Sequence, residues 1–287
     1  MSELQRLTPS DRAGGAAGMP SLLTPADPPP FEIYRPEGRA RAVIACDHAS
    51  RRIPSTLGTL GLGPKALERH IAWDIGAANL ARELSNRLDA CAVLAGYSRL
   101  VIDCNRRLED PSCFVTLADG DRVPGNEGLT PPAIHARASA CYEPYHEALG
   151  SRLRAFRARG VVPALIAVHS FTPSMGGRAR PWHVGVLWDK DARMPVSLLN
   201  RLREEPGLVV GDNEPYSGRH PADYTIDRHA ERSGLPHVCI EVRQNELETA
   251  AGVTRFADIL ARALGAILAD ESLYQVREPR ETRVTEG

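Results

Sequence analysis

Two histidines and a glutamate stand where apolar runs meet polar residues. VIACDHAS places His48 just beyond one β-rich run, LIAVHSF places His169 at the end of another, and HVCIEVRQN sets Glu241 within a third. Two imidazoles and a carboxylate around an open position are the usual donor set of a catalytic zinc site. Taken singly, each histidine reads better as a core group bonded to backbone. Two at equivalent strand ends favour a shared cation, Zn²⁺ or another divalent ion. Asp74, in AWDIGAAN, is the first choice for the third ligand, although an aspartate just before a helix is also a preferred N-cap. Asp47 is the alternative; it adjoins His48 and points to the opposite side if the strand persists.

Glu241 is the candidate general base, because burial among apolar strand residues raises a carboxylate's proton affinity towards neutral pH. An ion pair with Arg243, two residues on and so on the same strand face, is the structural alternative, and Arg243 is also a candidate substrate-binding residue; the pair could serve structure, function or both. LVIDCNRR brings Asp103, Asn105 and Arg106 to one place. Arg106 and Asn105, with Arg99, form the anion-recognition set, since the planar guanidinium fork matches a carboxylate. HSFTPSMGGRARPW offers Arg178 to the pocket, and NEPYSGRHP offers Tyr216 and Arg219; ordinary glycine-rich turns explain both loops equally well. Tyr142, Tyr145 and His146 read as core and supporting groups. There is no G-x-S-x-G elbow, no G-x-x-x-x-G-K-[ST] loop and no G-x-G-x-x-G fingerprint, so serine-nucleophile and nucleotide chemistry have no signature.

The elements that must position these groups alternate along the chain. Strand-like runs fall at residues 42–46, 91–95, 100–103, 164–168, 183–188, 208–211 and 237–242. Helical spacing appears at 75–88, 132–159, 195–204, 222–233 and 246–269, with Pro144 expected to kink the longest. Residues 105–131 read as loop. This pattern predicts a single α/β domain whose mixed, mostly parallel sheet is flanked by helices on both faces, with ligands gathering at the carboxyl ends of the strands. Residues 1–30 read as a flexible leader, 31–270 as the domain and 271–287 as a polar tail. Net charge of -1, from 35 basic and 36 acidic residues, argues against a nucleic-acid binder while leaving room for a small carboxylate substrate. No apolar run approaches the roughly 20 residues that span a bilayer, and the N-terminus lacks a signal core. The six cysteines contain no C-x-x-C pair, so free thiols in the cytoplasm are expected. Nothing in the sequence speaks to oligomeric state.

The ordered set DHAS, WDIG, R-x-x-x-D-x-N-R, Y-x-P-Y-H, V-H-S-F, N-x-P-Y-S-G and I-E-V-R, over residues 42–245, resembles the N-formylglutamate amidohydrolase family. That family is similar in fold to zinc carboxypeptidases, a hydrolase-like and phosphorylase-like architecture. Carboxypeptidases carry a glutamate three residues after the first zinc histidine, where this chain has Arg51, so another carboxylate must serve. The resemblance implies zinc held by His48, His169 and Asp74, with Glu241 as base and Arg99 beside the oxyanion. The implied reaction is amide hydrolysis, N-formyl-L-glutamate giving formate and L-glutamate. Another N-acyl amino acid or small amide is the first rival, and the PWHVGVLWDKD segment suits a divergent branch of the family. A non-catalytic carboxylate-binding module is the second.

Overall fold

The chain runs through β1 (Phe31–Tyr34), β2 (Ala42–Cys46), α1 (Pro64–Leu67), α2 (Ala77–Leu88), β3 (Cys91–Ala95), β4 (Leu117–Ala118) and β5 (Asp121–Arg122). There follow α3 (Pro131–Arg137), α4 (Glu143–Arg157), β6 (Ala164–Phe171), β7 (Ser174–Met175), β8 (Arg178–Ala179) and β9 (Val184–Leu187). Then come α5 (Arg193–Arg203), β10 (Val210–Asp212), α6 (Tyr224–His229), β11 (His237–Arg243) and α7 (Ala250–Leu268). The structure is a computed structural model that describes residues 21–219 and 223–277.

Seven strands form one mixed sheet in the order β1-β3-β2-β6-β11-β9-β10. The central four, β3-β2-β6-β11, are mutually parallel. The edge strand β1 is antiparallel to β3, and β9 runs antiparallel to β11 with β10 parallel to it. Both faces are covered, which is why the central strands read as continuous apolar runs. Along β6 the side chains alternate: Ile166 and Val168 join the core beneath α2, α5 and α7, while Leu165 and Ala167 join the core beneath α4 and α6. Each fully buried Leu or Ile contributes about 1.5–3 kcal/mol relative to exposure. The alternation puts His169 on the α4 side, and Glu241 is its register partner on β11. The chain leaves β2 for β3 on one side and later lays β6 on the other, so the carboxyl ends of β2 and β6 flank a crevice.

Four expectations change in detail. Residues 100–103 are a buried turn, not a strand: Val101 donates to Ser98 and Asp103 to Cys113, and no strand among the described residues pairs with them. Short apolar runs do not distinguish the two by periodicity. The helix expected over 132–159 is broken by a π-helical turn at Ala138–Tyr142, which lets Pro144, lacking an N–H, enter at the start of α4. Residues 21–30, assigned by composition to the leader, are fastened to the body. Leu22 and Leu23 pack on the α4-side core, and Asp27 accepts hydrogen bonds from the amides of Thr24 and Ser55. Of the tail, Leu273 is buried and the Arg41 guanidinium lies 3.7 Å over the Tyr274 ring. Residues 1–20, 220–222 and 278–287 lie outside the described residues. No helix among the described residues is long and apolar enough to cross a membrane.

Helices α4 and α6 meet at a histidine pair, His146 buried and His229 half-buried. His146 Nδ1 and His229 Nε2 are 3.0 Å apart, and the rings stack. Burial pushes both imidazoles down, His146 to about 3 and His229 to about 4; in each case Arg228 adds to the effect. Both must take up protons on unfolding once the pH falls below about 6.5, the ordinary histidine value. Their contribution to stability is therefore complete above pH 6.5 and is lost as pH falls towards 4. The melting temperature is expected to drop across that window, and to drop less in His229→Gln. Equal slopes in the two proteins would remove the pair from the account.

Candidate metal centre and active site

Three buried donors converge at the crevice. Asp74 Oδ2 lies 2.9 Å from His169 Nδ1 and 3.3 Å from His48 Nδ1. The ligand atoms of His48, Asp74 and His169 all fall within 4.8 Å of one another. Asp74 is anchored by its own amide, which donates to the His48 carbonyl at 2.9 Å. It does not cap α2. The N-cap is Gly76, at φ +83°, where an added Cβ would lie 2.4 Å from Leu247 Cβ. Glycine opens the helix, and the aspartate side chain stays with the histidines.

The outer nitrogen of each imidazole faces a second buried carboxylate. His48 Nε2 is 2.7 Å from Asp103 Oδ1, and His169 Nε2 is 3.2 Å from Asp47 Oδ2, a charge contact off the line of a hydrogen bond. Asp103 is held by Arg99 at 2.8 Å, and Asp47 accepts bonds from the hydroxyls of Tyr145 and Thr225. Asp47 therefore stands behind His169 rather than beside Asp74. Carboxylate behind imidazole is the arrangement that orients a metal-binding histidine. Two inward Nδ1 atoms and a carboxylate suit Zn²⁺ in type and number.

Charge balance supports the same fit. Burial lowers the proton affinity of both imidazoles, yet the facing carboxylates outweigh it and both are raised. A cation entering through Nδ1 displaces those protons, so its uptake releases acid. Asp47 is held down to about 2 against its own burial, chiefly by His169. Asp103→Asn removes the anion behind His48, and metal affinity is expected to fall roughly 10–100-fold in a chelator-competition titration. Unchanged affinity would show that His48 needs no such support.

A cavity of about 550 Å³ opens onto these groups and is also lined by Glu241, Arg99, Asn105, Arg106, Tyr216 and Arg219. Glu241 Oε2 is buried without a partner. Burial raises the Glu241 carboxyl to about 8, helped by the Asp74 charge and opposed by His169 and His48. The alternative, an ion pair with Arg243, does not form. Arg243 turns to Glu246 at 2.9 Å, to Asn245 and to the carbonyls of Arg180 and Pro181, and it does not line the cavity. Arg178 is likewise absent from the lining; it lies exposed on β8. For Arg243, the last residue of β11, strand alternation sets the face but nearby acceptors decide where the long side chain goes.

The loop carrying Tyr216 and Arg219 is seated on β9 beside Glu241. An added Cβ at Gly185, the β9 register partner of Glu241, would lie 2.0 Å from the Glu214 carbonyl. Tyr216 accepts a hydrogen bond from Arg180 at 2.9 Å. Sequence reasoning missed Asp223 and His70, which also line the cavity. Asp223 caps α6 through the Ile226 amide and leaves Oδ2 buried without a partner. An aspartate directly before a helical run was the available signal; His70 had none.

The sequence pattern of the N-formylglutamate amidohydrolase family matches residues 40–247. The chain belongs to that family. A gene product of Agrobacterium tumefaciens has a similar structure, with TM-score 0.83 and 33% identity, covering 86% of this chain and 98% of its own. The N-formylglutamate amidohydrolase of Ralstonia eutropha aligns with TM-score 0.61 and 19% identity, over 83% of this chain and 97% of its own. The latter likeness bears on fold alone. Among proteins of curated function, none matches significantly. As an N-formylglutamate amidohydrolase family member the chain is a hydrolase of amide bonds. The family pattern spans His48, Asp74, His169 and Glu241 together.

Proposed function

We propose that the protein is a metal-dependent hydrolase, with zinc as the first candidate ion, that cleaves the amide of an N-formyl or other N-acyl amino acid. N-Formyl-L-glutamate, giving formate and L-glutamate, is the reference substrate. The observation that carries this reading is the convergence of His48 Nδ1, His169 Nδ1 and Asp74 Oδ2 next to a buried, unpartnered Glu241. A divalent cation held by His48, Asp74 and His169 supplies a Lewis acid that activates water and polarises the amide carbonyl. Glu241 takes the proton from the attacking water and returns it to the departing nitrogen. Oxygen bonds to the acyl carbon, the C–N bond breaks, and the amine leaves neutral. Arg99 is the oxyanion partner: it lines the cavity, and Asp103 holds its guanidinium in a fixed orientation. Arg106 and Arg219, with Asn105 and Tyr216, orient a substrate carboxylate. Six free, buried cysteines suit a cytoplasmic enzyme.

The test is metal content together with catalysis. Purified protein is expected to hold one equivalent of divalent metal and to release formate from N-formyl-L-glutamate. Chelation should stop the reaction, and zinc should restore it. Protein with neither stoichiometric metal nor chelator-sensitive hydrolysis would overturn the mechanism and leave a carboxylate-binding module.

A further inference from the structure

We infer that the natural substrate carries an apolar group, seated against a collar of Leu117, Met175 and Tyr216 at the cavity mouth, and is preferred over N-formyl-L-glutamate. This rests on the amide-hydrolase reading above and names the substrate class within it.

Among the described residues, six large hydrophobic side chains are substantially exposed: Leu117 at 64%, Met175 at 37%, Tyr216 at 39%, and Val196, Val209 and Val276. The first three line this one cavity. A single exposed apolar residue needs no explanation, but a cluster around a concave site marks a binding surface. The three arrive on separate pieces of chain. Leu117 sits on the β4–β5 ribbon, Met175 on the β7–β8 ribbon, and Tyr216 on the loop packed over Gly185. No shared helix or strand face forces them together.

The apolar lining continues inward. Val115, Ala118 and Ile71 line the same cavity, and Ile71 lies only three residues before Asp74. Size agrees with this. A cavity of about 550 Å³ is in the range that encloses drug-sized ligands, whereas N-formyl-L-glutamate has only about a dozen non-hydrogen atoms. Chemistry agrees too. Against the Leu117 and Met175 side chains a second carboxylate would lose water and find no donor, while an apolar group gains by leaving water.

The apolar group has two places in an N-acyl amino acid: the side chain or the acyl chain. The experiment compares kcat/KM of the metal-loaded, full-length protein for N-formyl-L-leucine, N-hexanoyl-L-glutamate and N-formyl-L-glutamate. One of the first two should exceed the third by about tenfold or more, the scale of discrimination that apolar pockets supply. Which one wins identifies the part of the substrate that meets the collar. Leu117→Ser combined with Met175→Ser should reduce that preference ratio about tenfold, mainly through KM. Both side chains are exposed, so folding is retained. Preference for N-formyl-L-glutamate, or a ratio unmoved by the double variant, overturns the collar alone. No turnover of any of the three would instead overturn the hydrolase reading.

Discussion

Glu241→Gln is expected to lower kcat by about two to four orders of magnitude while the protein keeps its full equivalent of metal. The amide is nearly isosteric with the carboxyl and fills the same buried position on β11, but it accepts no proton at working pH. Glu241 lies across from His169 in the sheet and is not one of the three converging donors. Metal content should therefore survive when turnover does not. Parallel elemental analysis and formate release check both halves. Turnover within a few fold of the parent would move the base role to another group on the cavity wall, Asp223 being the nearest in chemical type.

His169→Ala should lose metal and turnover together, with a decline in turnover at least as large. The substitution removes one of three donors and leaves Asp47 buried without the imidazole that holds it near 2. A ligand that binds only the folded state raises the melting temperature, so the parent should melt earlier after chelation. His169→Ala should melt at one temperature with or without chelator. A variant that still bound one equivalent and still melted earlier on chelation would place the cation elsewhere.

Much of this site was legible because strand ends are legible. The runs before His48, His169 and Glu241 are apolar on both faces, which only a covered, mostly parallel sheet requires, and such sheets expose their carboxyl ends to ligands. The third donor was harder. Asp74 occupies a position where helix capping and metal binding ask for the same residue, and Gly76, two residues later, takes the cap and leaves the aspartate with the histidines. Arg243 was misplaced because a long side chain at a strand end follows local acceptors, and Arg178 because it lies exposed on a short ribbon outside the cavity lining. His70 enters the cavity from a turn, where residue type carries no period to read, and Asp223 from the cap of α6, where capping alone accounts for the residue. The run at residues 100–103 has strand composition, but no strand among the described residues pairs with it, a tertiary fact invisible to local pattern.

The imidazoles are gripped from one side and addressed from the other. Behind His169, the Tyr145 phenol of α4 and the Thr225 hydroxyl of α6 fix Asp47. The cavity opens on the other side, lined by short ribbons and a loop that take no part in that scaffold. On the proposed reading, retention of the ion and choice of cargo would thus be written on different stretches of polypeptide. The ribbons can be rebuilt for new acyl or side-chain groups while the chemistry behind them stays intact.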